Sequence, residues 1–278
     1  MERRAEERRG PAHGRPDGGR APRRRRPRRP WPVSLNLGGG LRPPFRTSPQ
    51  ESIAPAKPAL ERRFFCRVPG HRSRASRERG ALTVESKQPE GRRGIPDGWQ
   101  GQNWGSPKND FTVVSGSAVH ALHLRSDNDS STISKEVKVD VKQYPILQWR
   151  WKVVVLPKGG DARRKETDDE AAQLYVTFPR FPSAVRSRII GYIWDSTAPA
   201  GAVFPSQKVS MLTFVAVRSG DADLGNWVTE RRNVYEDYKR IYREEPKEGV
   251  GAVSISINSQ NTGSRAEAYF GEIVFRKP

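Results

Sequence analysis

The side chains best suited to chemistry in this chain are its clustered carboxylates. Asp168, Asp169 and Glu170 are adjacent, and Asp195, Glu267 and Glu272 follow them. Hydrolysis of a glycosidic bond uses two carboxyl groups about 5–9.5 Å apart. Asp168, Asp169 and Glu267 are therefore the acid–base candidates of a polysaccharide-acting enzyme. Glu267 and Glu272 lie five apart on one strand-like run, so they face opposite sides and cannot pair with each other. Asp127 with Asp129, or Asp168 with Asp169, could give oxygens to a hard cation, although their spacing completes no calcium-loop pattern.

Other chemistries find no support. His120 and His123 are three apart on a strand and point to opposite faces, so they cannot share a metal. The remaining histidines are His13 and His71, and the sole cysteine is Cys66. One cysteine excludes an internal disulfide and a cysteine-rich zinc site. There is no GxSxG elbow, no HExxH and no Walker A loop. Gly249-Val250-Gly251 lies between a helical and a strand-like segment, the wrong order for a dinucleotide fingerprint. No catalytic residue, metal or cofactor is assigned, and the residues lean towards a non-catalytic protein.

A second pattern points to binding. If Trp149, Trp151, Leu174, Val176, Val253, Ile255 and Ile257 fill a core, period-2 geometry sends their neighbours outward. Those neighbours include Arg150, Lys152, Gln173, Tyr175, Asn258, Arg265, Glu267 and Tyr269, with Gln148, Ser254 and Ser256. Should the strands share a sheet, the result is a polar platform carrying two aromatic rings. Such a face suits a sugar chain, because rings cover apolar sugar faces while amides, arginine and carboxylates bond hydroxyls. An ordinary wet sheet face is the competing interpretation.

The elements that must position these residues are short strands. Phe111–Ser115, Ala118–Ser126 and Thr132–Val141 alternate or are β-branched, and Asp127–Ser130 between the last two reads as a turn. Ile146–Val155 is the clearest strand, bracketed by Pro145 and Pro157, with Leu147, Trp149, Trp151, Val153 and Val155 on one face. A charged loop over 158–170 follows. Ala171–Phe178, Arg188–Asp195 and Val209–Arg218 are further strands, the last apolar on both faces and so expected to be central. Asn226–Arg232, Val250–Asn258 and Arg265–Phe275 complete the set. Asn233 with Glu236 resembles a capping box, and the spacing of Tyr235, Tyr238 and Ile241–Tyr242 predicts one short helix near 234–243, ended by Pro246. Nine or ten strands with one helix predict an all-β, two-sheet β-sandwich over 94–278. Tyr192 and Trp194 share a face and are expected in the core.

Charge separates this domain from what precedes it. The chain has 278 residues, 50 Lys+Arg and 31 Asp+Glu, for a net charge of +19. Residues 1–80 hold 22 of the basic and 7 of the acidic residues, and 12 of the 23 prolines. Apolar residues there follow no period, so residues 1–93 are expected to be a disordered Arg/Pro/Gly-rich tail. A solvated extension is the favoured reading, and its composition is also what GC-rich DNA upstream of a start codon encodes. A targeting segment is a second reading, although the tail has no secretory apolar core. A nucleic-acid-binding arm is the third. It is disfavoured because no aromatic residues interleave the arginine run, apart from Trp31 at its end. No apolar run is long enough for a transmembrane helix.

Five ordered motifs carry a family resemblance. They are the run from Val139-Asp140 through Tyr144–Val153, Lys165–Asp169 with Tyr175-Val176, Gly191–Trp194, Val217–Gly220 with Gly225–Val228, and Asn261–Ile273. In this order, over about residues 96–276, the chain resembles the bacterial domain-of-unknown-function family 3047. The resemblance implies a jelly-roll-like sandwich similar to carbohydrate-binding domains, in an exported or periplasmic protein, with no established activity. Members often carry acidic residues before the Asn-Thr motif, where this chain has Asn258 and Gln260. The expected function is binding of a glycan or cell-envelope component through the polar sheet face. The oligomeric state is not legible in the sequence.

Overall fold

The computed structural model describes residues 82–83, 89–115 and 120–278. In chain order the elements begin with β1 (Leu82–Thr83), β2 (Gln100–Gly101), β3 (Phe111–Val114), β4 (Ala121–Asp127), β5 (Ser130–Val139) and β6 (Ile146–Val155). A 3-10 turn (Lys165–Thr167) precedes β7 (Ala172–Phe178), the one-turn helix α1 (Ser183–Arg186) and β8 (Arg188–Asp195). Then come β9 (Val203–Pro205), β10 (Leu212–Ser219), β11 (Val228–Asn233), α2 (Val234–Tyr242), β12 (Val250–Asn258) and β13 (Arg265–Arg276).

The architecture is the expected two-sheet β-sandwich. The first sheet runs β11–β6–β13–β4–β3, with β1 paired to the far end of β13. The second runs β2–β5–β12–β7–β8–β10–β9. All pairs are antiparallel except β8 with β10. The β4–β5 turn forms where Asp127–Ser130 predicts it, with Asn128 at φ 50°, a left-handed value that asparagine tolerates. The capping box is real at its Asn233 end. Its side chain accepts the Glu236 N–H at 3.0 Å, and α2 ends at Arg243 in left-handed conformation.

The core lies between the sheets. Trp149 and Trp151 of β6 meet Tyr192 and Trp194 of β8 at ring separations of 5.2 and 5.9 Å, and Phe270 of β13 closes on Trp151 at 6.0 Å. Tyr238 of α2 seals one margin against Phe178 at 4.6 Å.

The strand over 209–218 departs from expectation. It sits next to the edge as β10, covered on its far side only by the three-residue β9. Its two apolar faces have a different cause. Val215 belongs to the main core, while Leu212, Phe214 and Ala216 pack into a second cluster on the outer face of the second sheet, with Ala162, Ile189 and Ile193. A strand apolar on both faces reports two covered faces, not a central position.

The tail expectation concerns mostly residues outside those described. Within it, Leu82–Thr83 pairs with Val274–Phe275, and the Gly91 N–H donates to the Val113 carbonyl at 2.8 Å.

Candidate functional site

Two of the strands expected to form the platform, β6 and β13, are neighbours in the first sheet. Register places His123, Tyr269 and Lys152 in one row across β4, β13 and β6. Because residues in register point to the same side, these three side chains share the outer face. The His123 ring stacks on Tyr269 with centroids 4.2 Å apart and planes within 5°. The Lys152 ammonium lies 4.2 Å from the centroid of the same ring. Glu267, two residues back along β13, lies on the same face: its Oε1 is 2.8 Å from His123 Nε2 and accepts the Tyr269 hydroxyl at 3.4 Å. Burial, and then the Glu267 charge, raise the Tyr269 hydroxyl above its ordinary pKa.

Trp227, in the turn before β11, completes the face. Arg150 lies 5.3 Å and Lys152 5.6 Å from its ring centroid, and Tyr269 meets it edge-on at 6.2 Å. The indole lies over Gly271 of β13, where a side chain larger than a methyl would meet it. A Cβ there would stand 3.4 Å from Trp227 Cζ3 and 3.3 Å from Arg150 Cβ. Arg231 on β11 pairs in register with Gln148, and Thr229 with Arg150, extending the same face. Among the described residues, no carboxylate forms an ion pair with Arg150, Lys152 or Arg231. Arg265 stands at the exposed end of β13 and reaches Asp127 at 3.3 Å.

The structure thus brings together Arg150, Lys152, Glu267 and Tyr269, with Arg265 at the margin. It does not bring Gln173, Tyr175 and Asn258 to them. Those three belong to β7 and β12 in the second sheet, and they are 1%, 1% and 8% exposed. The condition that all these strands share a sheet fails. Tyr175 is inside the second apolar cluster, 6.5 Å from the Phe214 ring, with its hydroxyl donated to Gln173 Oε1. Gln173 donates to the Glu170 carbonyl at 3.3 Å, and Asn258 to the Asp168 carbonyl at 2.7 Å. Gln173 and Asn258 are cross-links of the second sheet to its covering loop, while the Tyr175 hydroxyl bonds only Gln173 on its own strand.

Trp227 and His123 are the residues that sequence reasoning left out. Trp227 sits in the Gly225–Val228 motif, and a glycine in an otherwise bulky strand, Gly271, marks close approach of another group. That pair of signals was present in the sequence. His123 could be located only through its register with Tyr269.

The carboxylates separate as well. Asp168 is bonded beside the second sheet and Asp169 to the connection between β12 and β13, whereas Glu267 is on the outer face of the first sheet. Sheets stack about 10 Å apart with a filled core between them. Asp168 and Asp169 share no hydrogen-bonding partner with Glu267, and these contacts do not assemble the expected acid–base pair. The loop carboxylates already serve as protein acceptors. Asp169 takes the Asn261 and Thr262 N–H groups at 3.0 and 2.6 Å. Asp195 takes those of Ala162, Thr197 and Ala198 at 2.9, 2.7 and 2.6 Å. Asp168 pairs with Lys208 at 3.0 Å. In the other proposed calcium position, Asp129 accepts the Lys108 N–H at 2.9 Å and the Ser131 hydroxyl at 3.1 Å.

Glu170 is the exception. It is 2% exposed, and its Oε1 and the Oδ1 of Asp168 are both buried with no hydrogen-bond donor. Burial first, and then the nearby Asp168 charge, push the Glu170 carboxyl well above the usual range. Burial and these same carboxyls also raise the Tyr175 hydroxyl well above its ordinary pKa.

Fold and site together define a two-sheet β-sandwich with a basic, aromatic outer sheet face. The chain belongs to the family described as protein of unknown function (DUF3047), whose sequence profile matches residues 97–274. No curated protein sequence matches the chain. Three solved structures align with it at low similarity. The xyloglucanase domain of NopAA, a type three effector from Sinorhizobium fredii, in complex with cellobiose, has 14% identity and TM-score 0.36, covering 66% of this chain and 94% of its own. Endoglucanase cel12A from Rhodothermus marinus has 11% identity and TM-score 0.40, covering 70% and 99%. TmCBM61 in complex with beta-1,4-galactotriose has 11% identity and TM-score 0.32, covering 65% and 90%. No helix among the described residues is long and apolar enough to cross a membrane.

Proposed function

We propose that this protein binds a polysaccharide of the cell envelope, without catalysis, across the outer face of the first sheet. The observation that carries the reading is the Trp227 indole lying over Gly271, flanked by Arg150, Lys152 and Tyr269. A flat apolar surface edged by donors is what a pyranose ring and its hydroxyls require. The strands hold it rigidly, so binding would cost little ordering entropy. Of the candidates drawn from strand alternation, Arg150, Lys152, Glu267 and Tyr269 keep a ligand-binding role in this reading, with Arg265 at the margin, and Gln173, Tyr175 and Asn258 do not.

The test is binding of the full chain to an array of immobilised polysaccharides, with Trp227→Ala and Tyr175→Ala beside it. Trp227→Ala should weaken binding by about tenfold or more, as loss of a central aromatic contact does. Any loss in Tyr175→Ala should follow only its lower fold stability. Absence of binding, or binding indifferent to Trp227, would overturn the proposal.

A further inference from the structure

Resting on that reading, we infer that the polysaccharide is a polyanion bearing sugar carboxylates, such as a uronic-acid polymer. Most of the arginines tied down elsewhere on this domain have an acidic partner. Arg125 has Asp110, Arg163 has Asp161, Arg180 has Glu244 and Arg232 has Asp237. Around Trp227, three basic residues without such a partner lie together on one sheet face. Arg150, Lys152 and Arg231 form no ion pair with a described carboxylate. Glu267, the acid on the same face, is already engaged by His123 and Tyr269.

The cations are also arranged in a line. Lys152, Arg150 and Gln148 succeed one another on the outward side of β6, and Arg231 stands beside Gln148 on β11. Outward residues on one strand repeat about every 7 Å. Three cations at that spacing suit a chain with a repeating charge better than a single small anion. An arginine presents a fork that matches a carboxylate in two hydrogen bonds. The Trp227 ring holds the Arg150 and Lys152 head groups, so part of their rotamer entropy is lost before any ligand arrives.

Nucleic acid is the other polyanion to consider, and the aromatic geometry disfavours it. Sequence-tolerant binding of single strands uses several open ring faces on which successive bases stack. Here Tyr269 has His123 on the strand to one side, stacked on its ring, and Lys152 from the strand on the other side, over the ring. Trp227, half-buried and with Arg150 and Lys152 over its ring, is the one further ring of this cluster, fewer than successive stacked bases require.

The experiment uses the full chain and three probes: polygalacturonate, the same polymer fully methyl-esterified, and a single-stranded oligonucleotide. Affinities are measured by titration calorimetry for the natural sequence, for Arg150→Gln with Lys152→Gln, and for Trp227→Ala. The expected result is binding to polygalacturonate that weakens about tenfold or more on esterification, in the double variant and in Trp227→Ala, and that falls with added salt. The basic tail is identical in all variants, so attraction of the polymer to the tail alone would leave them equal. Equal binding of both polymers, lowered only by Trp227→Ala, overturns the charged-ligand inference and leaves polysaccharide binding standing. Indifference of both polymers to every substitution, or no binding, overturns both. Tighter binding of the oligonucleotide that depends on Arg150 and Lys152 overturns this inference in favour of a nucleic-acid ligand.

Discussion

Gly271 and Glu170 show how single positions govern the two outer faces of this sandwich. At Gly271, a side chain larger than a methyl would meet the Trp227 indole that lies over β13. Gly271→Leu should displace the indole and lower polysaccharide affinity about as much as Trp227→Ala does, while thermal stability changes little, because the position faces outward. Calorimetric titration beside a melting curve separates the two effects. Glu170 acts in the opposite sense, since its raised pKa ties it to fold stability. The folded pKa lies above the unfolded one, so its stabilising contribution is complete below the ordinary glutamate range. That contribution is lost as pH rises through the folded value. Glu170→Gln keeps a neutral group beside Asp168 at every pH. As pH rises above the ordinary glutamate range, the natural sequence should lose stability relative to Glu170→Gln, with a slope of at most one proton. Urea midpoints of both proteins at rising pH check the sign. A difference independent of pH would show that Glu170 is ionised in the fold.

Among the elements, α2 is the one whose position rests most visibly on a polar anchor. Asp237 is buried and accepts the Tyr192 hydroxyl at 2.9 Å, Arg232 at 2.9 and 2.7 Å, and Arg240 at 3.0 Å. It ties the helix to β8 and β11 at once. Asp237→Ala would leave the Tyr192 hydroxyl without its acceptor in the core and Arg232 without its counter-ion. The expected cost is about 3 kcal/mol, read from denaturant unfolding. Asp237→Asn should recover part of it, because the amide oxygen still accepts. The helix itself was legible from Asn233, Glu236 and the tyrosine spacing, which are local signals. The short β2 and β9 were not, since two or three residues carry no period and depend on the strand they add to.

At the scale of the molecule, the two sheets are held by large rings that meet across the interface. Trp151 touches Trp149 at 5.4 Å, Trp194 at 5.9 Å and Phe270 at 6.0 Å, and is fully buried. Trp151→Ala should destabilise the domain by about 3–5 kcal/mol through lost burial and the cavity left behind. It should lower the midpoint of a single cooperative transition. A loss below about 1 kcal/mol would mean that neighbouring rings collapse into the space. The core is legible in the residue order itself: alternation in β6 assigns Leu147, Trp149, Trp151, Val153 and Val155 to one side, and all are buried except Val155, exposed at the strand's end.

What the sequence determined by itself was the inside and outside of each strand, the turns between strands and the family to which they belong. These depend on a two-residue period and on residues close in the chain. Only the tertiary structure decided which strands share a face. β5 and β6 are consecutive yet lie in different sheets, as do β12 and β13, because the chain crosses the sandwich between them. An outward residue on β6 therefore joins β13 and β11, while one on β7 joins β12 and lies beneath the loop that carries Asp168 and Glu170. Arg150, Lys152, Glu267 and Tyr269 became neighbours through pairing between residues more than a hundred positions apart, and Tyr175 was buried in the apolar cluster that covers the second sheet. A strand's alternation says which side of itself is apolar. It carries no information about which distant strand will lie beside it, because that is set by burial of the whole core.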